Sequence, residues 1–198
     1  MSKRIPFKGT ALVGVSLVAG CAVPPVSTSG GGGPGMPQAA DVQQPVAMAV
    51  NSTDQQFVSN LGPGNSSEIA LSQLALQHAS SQAVRQFAQR MVTDHTQAGQ
   101  QLQQAASQAG MTVPQDIKPE DQAASQQLSN LSGMAFDRAY MAKMVADHEK
   151  TVTLFETEIR QGQNTAIKGF AQQALPTIQD HLRQAREIAG GSQAAPTS

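Results

Sequence analysis

The sequence contains no tryptophan, a single tyrosine (Tyr140) and a single cysteine (Cys21) among its 198 residues. One cysteine has no internal partner for a disulfide and excludes a Cys-x-x-Cys motif. No nucleophile–base arrangement and no glycine-rich phosphate loop before a helix can be recognised. Few β-branched runs interrupt a chain rich in Ala, Gln, Leu and Met, so the composition favours helices and gives no strand signal.

The amino-terminal segment has the pattern of an export signal. The basic residues Lys3, Arg4 and Lys8 flank the start of the apolar run TALVGVSLVAG at 10–20, which is shorter than the ~20 residues that a membrane-spanning helix needs. The run ends in LVAGC, which resembles the bacterial lipobox, in which the signal is cleaved before a cysteine that carries lipid. This resemblance predicts lipidation of Cys21, and an ordinary cleavage site beside an unmodified thiol is the alternative.

The charge balance limits the partners of the mature chain. The whole chain has a formal charge of −1, and loss of the export signal leaves about −4, which argues against nucleic acid because its binding depends on clustered Lys and Arg. The predicted membrane contact is therefore the lipid on Cys21, which would hold the domain in a bacterial cell envelope, facing the periplasm. Ala22, rather than Asp, after the cysteine resembles a signal for the outer membrane.

Composition divides the chain into four segments. Residues 1–20 are the predicted lipoprotein-type signal peptide, and residues 21–51 form a Pro-, Gly-, Ser- and Gln-rich tether that begins with the lipidated cysteine. Residues 52–189 are long enough for one helical domain with a single core. The tail at 190–198, GGSQAAPTS, is expected to be disordered.

Hydrophobic periodicity predicts four helical regions within that domain. They span about 67–79, 82–109, 119–161 and 165–189. A short helical piece, broken by GPGN, precedes the first region. Ser132-Gly133 interrupts the third region, and Gly190-Gly191 stops the last. Short turns join the first helix to the second and the third to the fourth, so each pair should be antiparallel. The predicted fold is an all-α four-helix bundle built from two antiparallel helical hairpins.

Three of the four histidines follow an aspartate, and two of these pairs end the similar stretches RQFAQRMVTDH and RAYMAKMVADH. His95, His148 and His181 each lie on the apolar stripe of a different helix, at spacings of three and four residues. Counted from the turns at 1.5 Å per residue, their heights in the bundle agree to within ~5 Å. Glu68, in the first helix, lies at a similar height. The sequence therefore predicts that one carboxylate and three imidazoles meet inside the bundle.

Burial of three imidazoles costs free energy unless each finds a partner. A transition-metal ion would satisfy all three, so His95, His148 and His181 are the predicted ligands, with Glu68 as a fourth. Such a set suits one or two ions of iron, copper or zinc. A metal-free network of histidine–carboxylate hydrogen bonds is the alternative, and Glu68 also fits a capping role at the start of its helix.

The aspartates of the first two pairs have two interpretations. Asp94 and Asp147 each have a basic residue one turn away, as in exposed ion pairs. At the edge of the buried seam they would instead accept hydrogen bonds from ligand histidines or act as extra ligands. The methionines near the histidines (Met91, Met141 and Met144) are interpreted as core residues. His78 lies too close to a turn to join the predicted site.

Four blocks of sequence resemble a known bacterial family. SEIALSQLALQHAS, FAQRMVTDHT, LSGMAFDRAYMAKMVADHEKTVTLFE and ALPTIQDHL match the exported ferritin-like proteins called domain of unknown function 4142, over about residues 53–189. The resemblance implies a ferritin-like four-helix bundle, usually in the cell envelope, with no established activity. Glu68 and the Asp-His pairs fall in the motifs of that family.

The chain departs from ferritin-like di-iron proteins because it contains no Glu-x-x-His motif. Ferroxidase chemistry is therefore not carried over, and no complete catalytic constellation indicates an enzyme. Two hypotheses follow. The first is a lipid-anchored envelope protein that binds a transition metal through core histidines, with a role in metal handling, redox chemistry or stress protection. The second is a metal-free envelope adaptor whose helices bind a protein partner.

Overall fold

The computed structural model describes residues 49–191, which form five helices and contain no strand. The helices are α1 (Ser52–His78), α2 (Gln82–Gln108), α3 (Pro119–Ser129), α4 (Gly133–Gln161) and α5 (Thr165–Gly191). Three-residue turns join α1 to α2 and α4 to α5, and the two hairpins pack with α2 against α5 and α1 against α4. The predicted all-α bundle is confirmed. None of these helices is both long and apolar enough to cross a membrane.

The first helix begins at Ser52, so the prediction of a start near Ser67 is wrong. Asn51 and Asp54 form a capping box, in which the backbone N–H of Asp54 donates to Asn51 Oδ1 at 2.9 Å and that of Asn51 donates to Asp54 Oδ2 at 2.7 Å. The helix then continues through Pro63, where the sequence alone indicates a break. Burial of this segment against the α2–α3 loop outweighs the weak local preference of glycine and proline for ending a helix.

Gly62 is the residue that permits this packing. A Cβ atom at this position would lie 2.2 Å from the carbonyl oxygen of Pro114 and 2.6 Å from Cγ1 of Val113. Contacts that short do not occur, so the backbone of α1 and the α2–α3 loop can only approach each other at a residue without a side chain. The glycine that suggests a helix end in the sequence is a packing position in the structure.

We expect Gly62→Ala to lower the free energy of unfolding by about 1–3 kcal/mol, because the added methyl group meets backbone atoms of the loop. Gly64→Ala is the matched control, since nothing lies within 4 Å of the Cβ position there. That substitution should raise stability by about 0.5–1 kcal/mol through helix propensity. Urea denaturation at constant m-value measures both. Equal changes of the same sign in the free energy of unfolding of the two variants would contradict the close approach at Gly62.

The other predicted boundaries agree more closely. The interruption at Ser132-Gly133 is confirmed, since α3 ends at Ser129 and Gly133 has a φ of 61°. Helix α5 does not stop at Gly190 but continues through Gly191, because glycine weakens a helix end without preventing the helical backbone. The signal peptide at 1–20, Cys21, the tether up to residue 48 and the tail from residue 192 lie outside the described residues.

The apolar core has two parts separated by a polar layer. One cluster, near the α1–α2 turn, contains the buried Met91, Met141 and Met144, as expected of core residues. The other cluster lies toward the α4–α5 turn and contains Phe57, Phe155 and Phe170, whose rings pack on one another. Along α2, α4 and α5 a buried histidine separates the residues of one cluster from those of the other.

A second buried polar group ties the start of α1 to the α4–α5 turn. The carboxylate of Asp54 accepts hydrogen bonds from the backbone N–H groups of Gln163 at 3.2 Å and Asn164 at 3.1 Å. Glu158 is fully buried and faces Asp54. Two ionised carboxylates can only accept hydrogen bonds, so Glu158 can pair with Asp54 only when Glu158 carries a proton. Burial, together with the hydrogen bond to Asp54 and its charge, raises the pKa of Glu158 to about 8.

Candidate metal centre

The polar layer brings three histidines together from three helices. His95 in α2, His148 in α4 and His181 in α5 are all buried, and their ring centroids lie 5.5–5.7 Å apart. One ring nitrogen of each lies within 4.8 Å of one ring nitrogen of the other two. The three side chains are therefore close enough to hold a metal ion, at the common height that the helix register predicts.

The hydrogen bond of His95 determines which of its nitrogens is free. Nδ1 of His95 lies 3.0 Å from Oδ1 of Asn65, and that oxygen can only accept, so Nδ1 carries the hydrogen. The lone pair is then on Nε2. This atom is buried and has no hydrogen-bond partner within residues 49–191.

The other two histidines follow the same rule. Nδ1 of His148 donates to the carbonyl oxygen of Met144 at 2.8 Å, which leaves the lone pair on Nε2. Nε2 of His181 donates to Oδ2 of Asp94 at 2.8 Å, which leaves the lone pair on Nδ1. Both free nitrogens are buried and unpartnered in the described part of the chain. Each ring is thus held by an acceptor on one side and presents an unprotonated nitrogen on the other.

The surroundings keep the imidazoles neutral. Burial, followed by repulsion from the other two rings, lowers the pKa of His95 well below its ordinary value. Burial and His181 lower the pKa of His148 to about 4. Burial also lowers the pKa of His181, although the hydrogen bond to Asp94 opposes it. Near neutral pH all three rings are therefore in the form that binds metal ions.

Asp94 combines the two roles that the sequence leaves open. Its Oδ2 accepts the hydrogen bond from His181 and also lies 3.1 Å from Nε of Arg90. Arg90 reaches Oδ2 of Asp180 at 2.6 Å, and Asp180 pairs in turn with Arg183. The aspartate that precedes His95 thus orients a histidine on another helix, while ion pairs hold that aspartate in place.

Asp147 lies in an ion pair rather than on a histidine. Lys143 Nζ lies 2.6 Å from Asp147 Oδ2 and 3.0 Å from Asp121 Oδ1, so the lysine joins α4 to α3. The ion-pair interpretation therefore describes the observed contacts of Asp147.

Glu68 lies beside the three histidines and outside the set of nitrogens that converge. Its Oε1 is 3.8 Å from Nδ1 of His148, the nitrogen already bonded to Met144. Its Oε2 is buried without a partner within residues 49–191, and burial, with the charge of Asp147, raises the pKa of the carboxyl well above its ordinary value. The capping interpretation is wrong, because α1 begins 16 residues earlier, at Ser52.

Two cavities approach the histidines from different sides. One, of about 480 Å³, lies between α1, the start of α3 and α4, and both Glu68 and His95 line it. The other, of about 400 Å³, lies between α2 and α5, and Asp94, His95 and His181 line it. His95 borders both cavities.

The chain matches the family described as Domain of unknown function (DUF4142) over residues 39–188. It belongs to that family. No curated protein sequence matches it. Its fold is similar to that of a DUF305 fragment from Deinococcus radiodurans, with a TM-score of 0.64 and 17% identity over 72% of this chain and 99% of that one. The fold is also similar to that of a DUF305 protein from Streptomyces coelicolor, with a TM-score of 0.62 and 13% identity over 74% of this chain and 98% of that one.

The two solved structures support the helical fold of this DUF4142 domain and no more, because their identity is low. The ferritin-like relationship stays a prediction. His78 lies apart from the site at the end of α1, where its Nδ1 contacts the carbonyl oxygen of Leu131 at 2.8 Å and its ring packs near Phe136.

Sequence reasoning missed the pairing of Asn65 with His95, which depends on Gly99. A Cβ atom on Gly99 would lie 2.8 Å from Nδ2 of Asn65, so the glycine leaves room for the amide that orients the imidazole. The available signal is a glycine inside α2, one turn after His95. Such a residue destabilises a helix relative to alanine by up to about 1 kcal/mol and indicates a packing or functional reason.

On the hypothesis that His95 is a metal ligand, Gly99→Ala should displace the Asn65 amide and weaken metal binding by about 10–100-fold, the usual effect of losing an outer hydrogen-bond partner of a ligand histidine. Stability of the metal-free DUF4142 domain should change little, because helix propensity offsets the small shift of a flexible side chain. Calorimetric titration and thermal melts separate the two effects. An unchanged metal affinity would mean that Asn65 does not position His95.

Proposed function

We propose that this DUF4142 protein binds a transition-metal ion through His95 Nε2, His148 Nε2 and His181 Nδ1. The observation that carries the proposal is the convergence of three buried histidines whose remaining nitrogens are each tied to an acceptor. Without an ion, three buried nitrogen lone pairs have no hydrogen-bond partner within residues 49–191, which costs free energy. An ion at their common centre would satisfy all three.

The surroundings support an ion rather than a purely structural hydrogen-bond network. A network would use both nitrogens of each ring, whereas one nitrogen of each ring has no partner among the described residues. An amide, a backbone carbonyl and a carboxylate orient the three rings, as outer partners do for histidine ligands. Imidazole ligands suit iron, copper and zinc. Glu68, which the sequence predicts as a fourth ligand, lies outside the three converging nitrogens and would serve at their edge as a hydrogen-bond partner.

The setting proposed for this centre is the bacterial cell envelope. The basic segment, the apolar run and the LVAGC sequence support export and lipidation at Cys21, with the outer membrane favoured by Ala22. A metal-binding domain tethered there would act in metal handling, in redox chemistry or in protection against stress.

Elemental analysis of the tag-free full chain, purified from the envelope of its own host, tests the proposal. We expect near-stoichiometric metal that is lost in the triple variant His95→Ala, His148→Ala, His181→Ala. His78→Ala is the matched control, because that histidine contacts a backbone carbonyl away from the site. Absence of metal, with iron, copper and zinc titrations also giving no binding, would overturn the proposal and favour a metal-free adaptor.

A further inference from the structure

We infer that the proposed centre keeps one exchangeable coordination position, which opens into the cavity between α1, α3 and α4. A small protic ligand, water at rest, would occupy it and exchange a hydrogen bond with Glu68. The inference rests on the proposed metal site and adds where an external molecule reaches it.

The converging histidines supply fewer ligands than a transition-metal ion takes. Three nitrogens converge within 4.8 Å, and no carboxylate oxygen within residues 49–191 joins them at that distance. Zinc and similar ions take at least four ligands, and a site with three protein ligands keeps the fourth position for water or substrate. Three histidines on three helices therefore leave one side of the ion to a molecule from outside.

Glu68 indicates which side that is. The residue is 7% exposed and lines the 480 Å³ cavity together with His95, and its Oε2 has no partner within the described residues. A buried carboxyl oxygen without a hydrogen bond carries the desolvation penalty of that group uncompensated. A protic ligand on the ion, in the space that His95 and Glu68 share, would give this oxygen its partner.

The opposite cavity is lined by two of the proposed ligands, His95 and His181, and no other residue in its lining has a buried unpartnered side-chain atom within residues 49–191. Asp94 there already accepts from His181 and pairs with Arg90. Beyond the ligand nitrogens, therefore, the unsatisfied buried oxygen beside the site lies on the Glu68 side. This asymmetry favours the α1–α3–α4 cavity as the place of exchange.

Two residues allow each cavity to be filled separately. Gly64 lines the first cavity, and nothing lies within 4 Å of the Cβ position there, so a large side chain can enter the open space. Ala98 lines the second cavity. Gly64→Phe and Ala98→Phe therefore form a matched pair that places the same bulk on opposite sides of His95.

The experiment titrates azide, a small coordinating probe, into the copper(II)-loaded full chain and follows the azide-to-copper charge-transfer absorption. We expect azide to bind, and Gly64→Phe to raise its Kd at least ten-fold while copper affinity stays within two-fold. Ala98→Phe should leave the azide Kd within two-fold. Because azide has no proton to donate, the role of Glu68 is tested with methylamine, which coordinates through nitrogen and keeps N–H groups. Glu68→Leu should raise the methylamine Kd about ten-fold, the loss of one hydrogen bond to a charged group, so the test does not depend on Gly64→Phe folding.

The outcomes separate the two proposals. Copper without azide binding, or azide blocked by Ala98→Phe and not by Gly64→Phe, would overturn the exchangeable position and leave the metal site intact. Unchanged methylamine affinity in Glu68→Leu would remove the role of that carboxyl. Failure of the chain to bind copper, iron or zinc would show in the prior metal analysis and would remove the metal centre itself.

Discussion

Addition of the cognate ion to the metal-free protein should raise its Tm by about 8–16 °C at a free metal concentration of 1,000 Kd. An ion that binds only the folded state stabilises it by about 4.1 kcal/mol under that condition. For a chain of this size each 1 kcal/mol shifts Tm by about 2–4 °C. The effect is large because His95, His148 and His181 present a preformed set of nitrogens that the unfolded chain does not have.

Circular dichroism melts at several metal concentrations measure this effect. The shift should grow with the logarithm of free metal in the wild-type protein and in the His78→Ala control. It should vanish in the triple variant His95→Ala, His148→Ala, His181→Ala. An equal shift in the triple variant would locate metal binding elsewhere in the chain.

Glu158→Gln should make the metal-free protein increasingly more stable than the wild type as the pH rises from about 5 to 8. The pKa of Glu158 is raised to about 8 in the folded state, so the unfolded chain releases this proton first and stability is lost between the ordinary pKa of 4.5 and 8. Each pH unit in that window corresponds to about 1.4 kcal/mol per proton. Glutamine stays neutral at every pH, and its amide N–H groups can donate to the carboxylate of Asp54.

Urea denaturation of both proteins at a series of pH values gives the comparison. Glu68 and the buried histidines titrate in both, so the difference between the two curves reports Glu158 alone. Glu156→Gln is the matched control, since it makes the same substitution at a half-exposed residue in an ion pair with Arg160. Parallel curves for Glu158→Gln and the wild type would show that Glu158 is ionised in the folded protein.

The meeting of the three histidines follows from features that a sequence displays directly. The apolar stripe identifies the buried face of each helix. The number of residues between a turn and a histidine gives the height of that histidine in the bundle, because the rise per residue of an α-helix is nearly constant. Short turns then fix the helices of each hairpin side by side. These rules need no knowledge of side-chain partners, so they predict the layer in which His95, His148 and His181 lie.

The partners of the histidines depend on contacts that periodicity does not encode. Asp94 precedes His95 in the sequence but bonds His181 on another helix, and Asn65 bonds His95 from a segment predicted to be a break. Sequence periodicity does not reveal the start of α1 for the same reason, since the fit of Gly62 against Pro114 decides the conformation there. Local propensity is weak, and packing between distant segments overrides it.

The division of the bundle into two hairpins has a kinetic consequence for a loaded centre. His95 belongs to the α1–α2 hairpin, whereas His148 and His181 belong to the α4–α5 hairpin. An ion bound to all three would clamp the halves across their shared interface, and separation of the hairpins would require at least one metal–nitrogen bond to break. We therefore expect the lifetime of the loaded fold to follow the dissociation rate of the ion, so that an ion that dissociates slowly makes the domain slow to unfold.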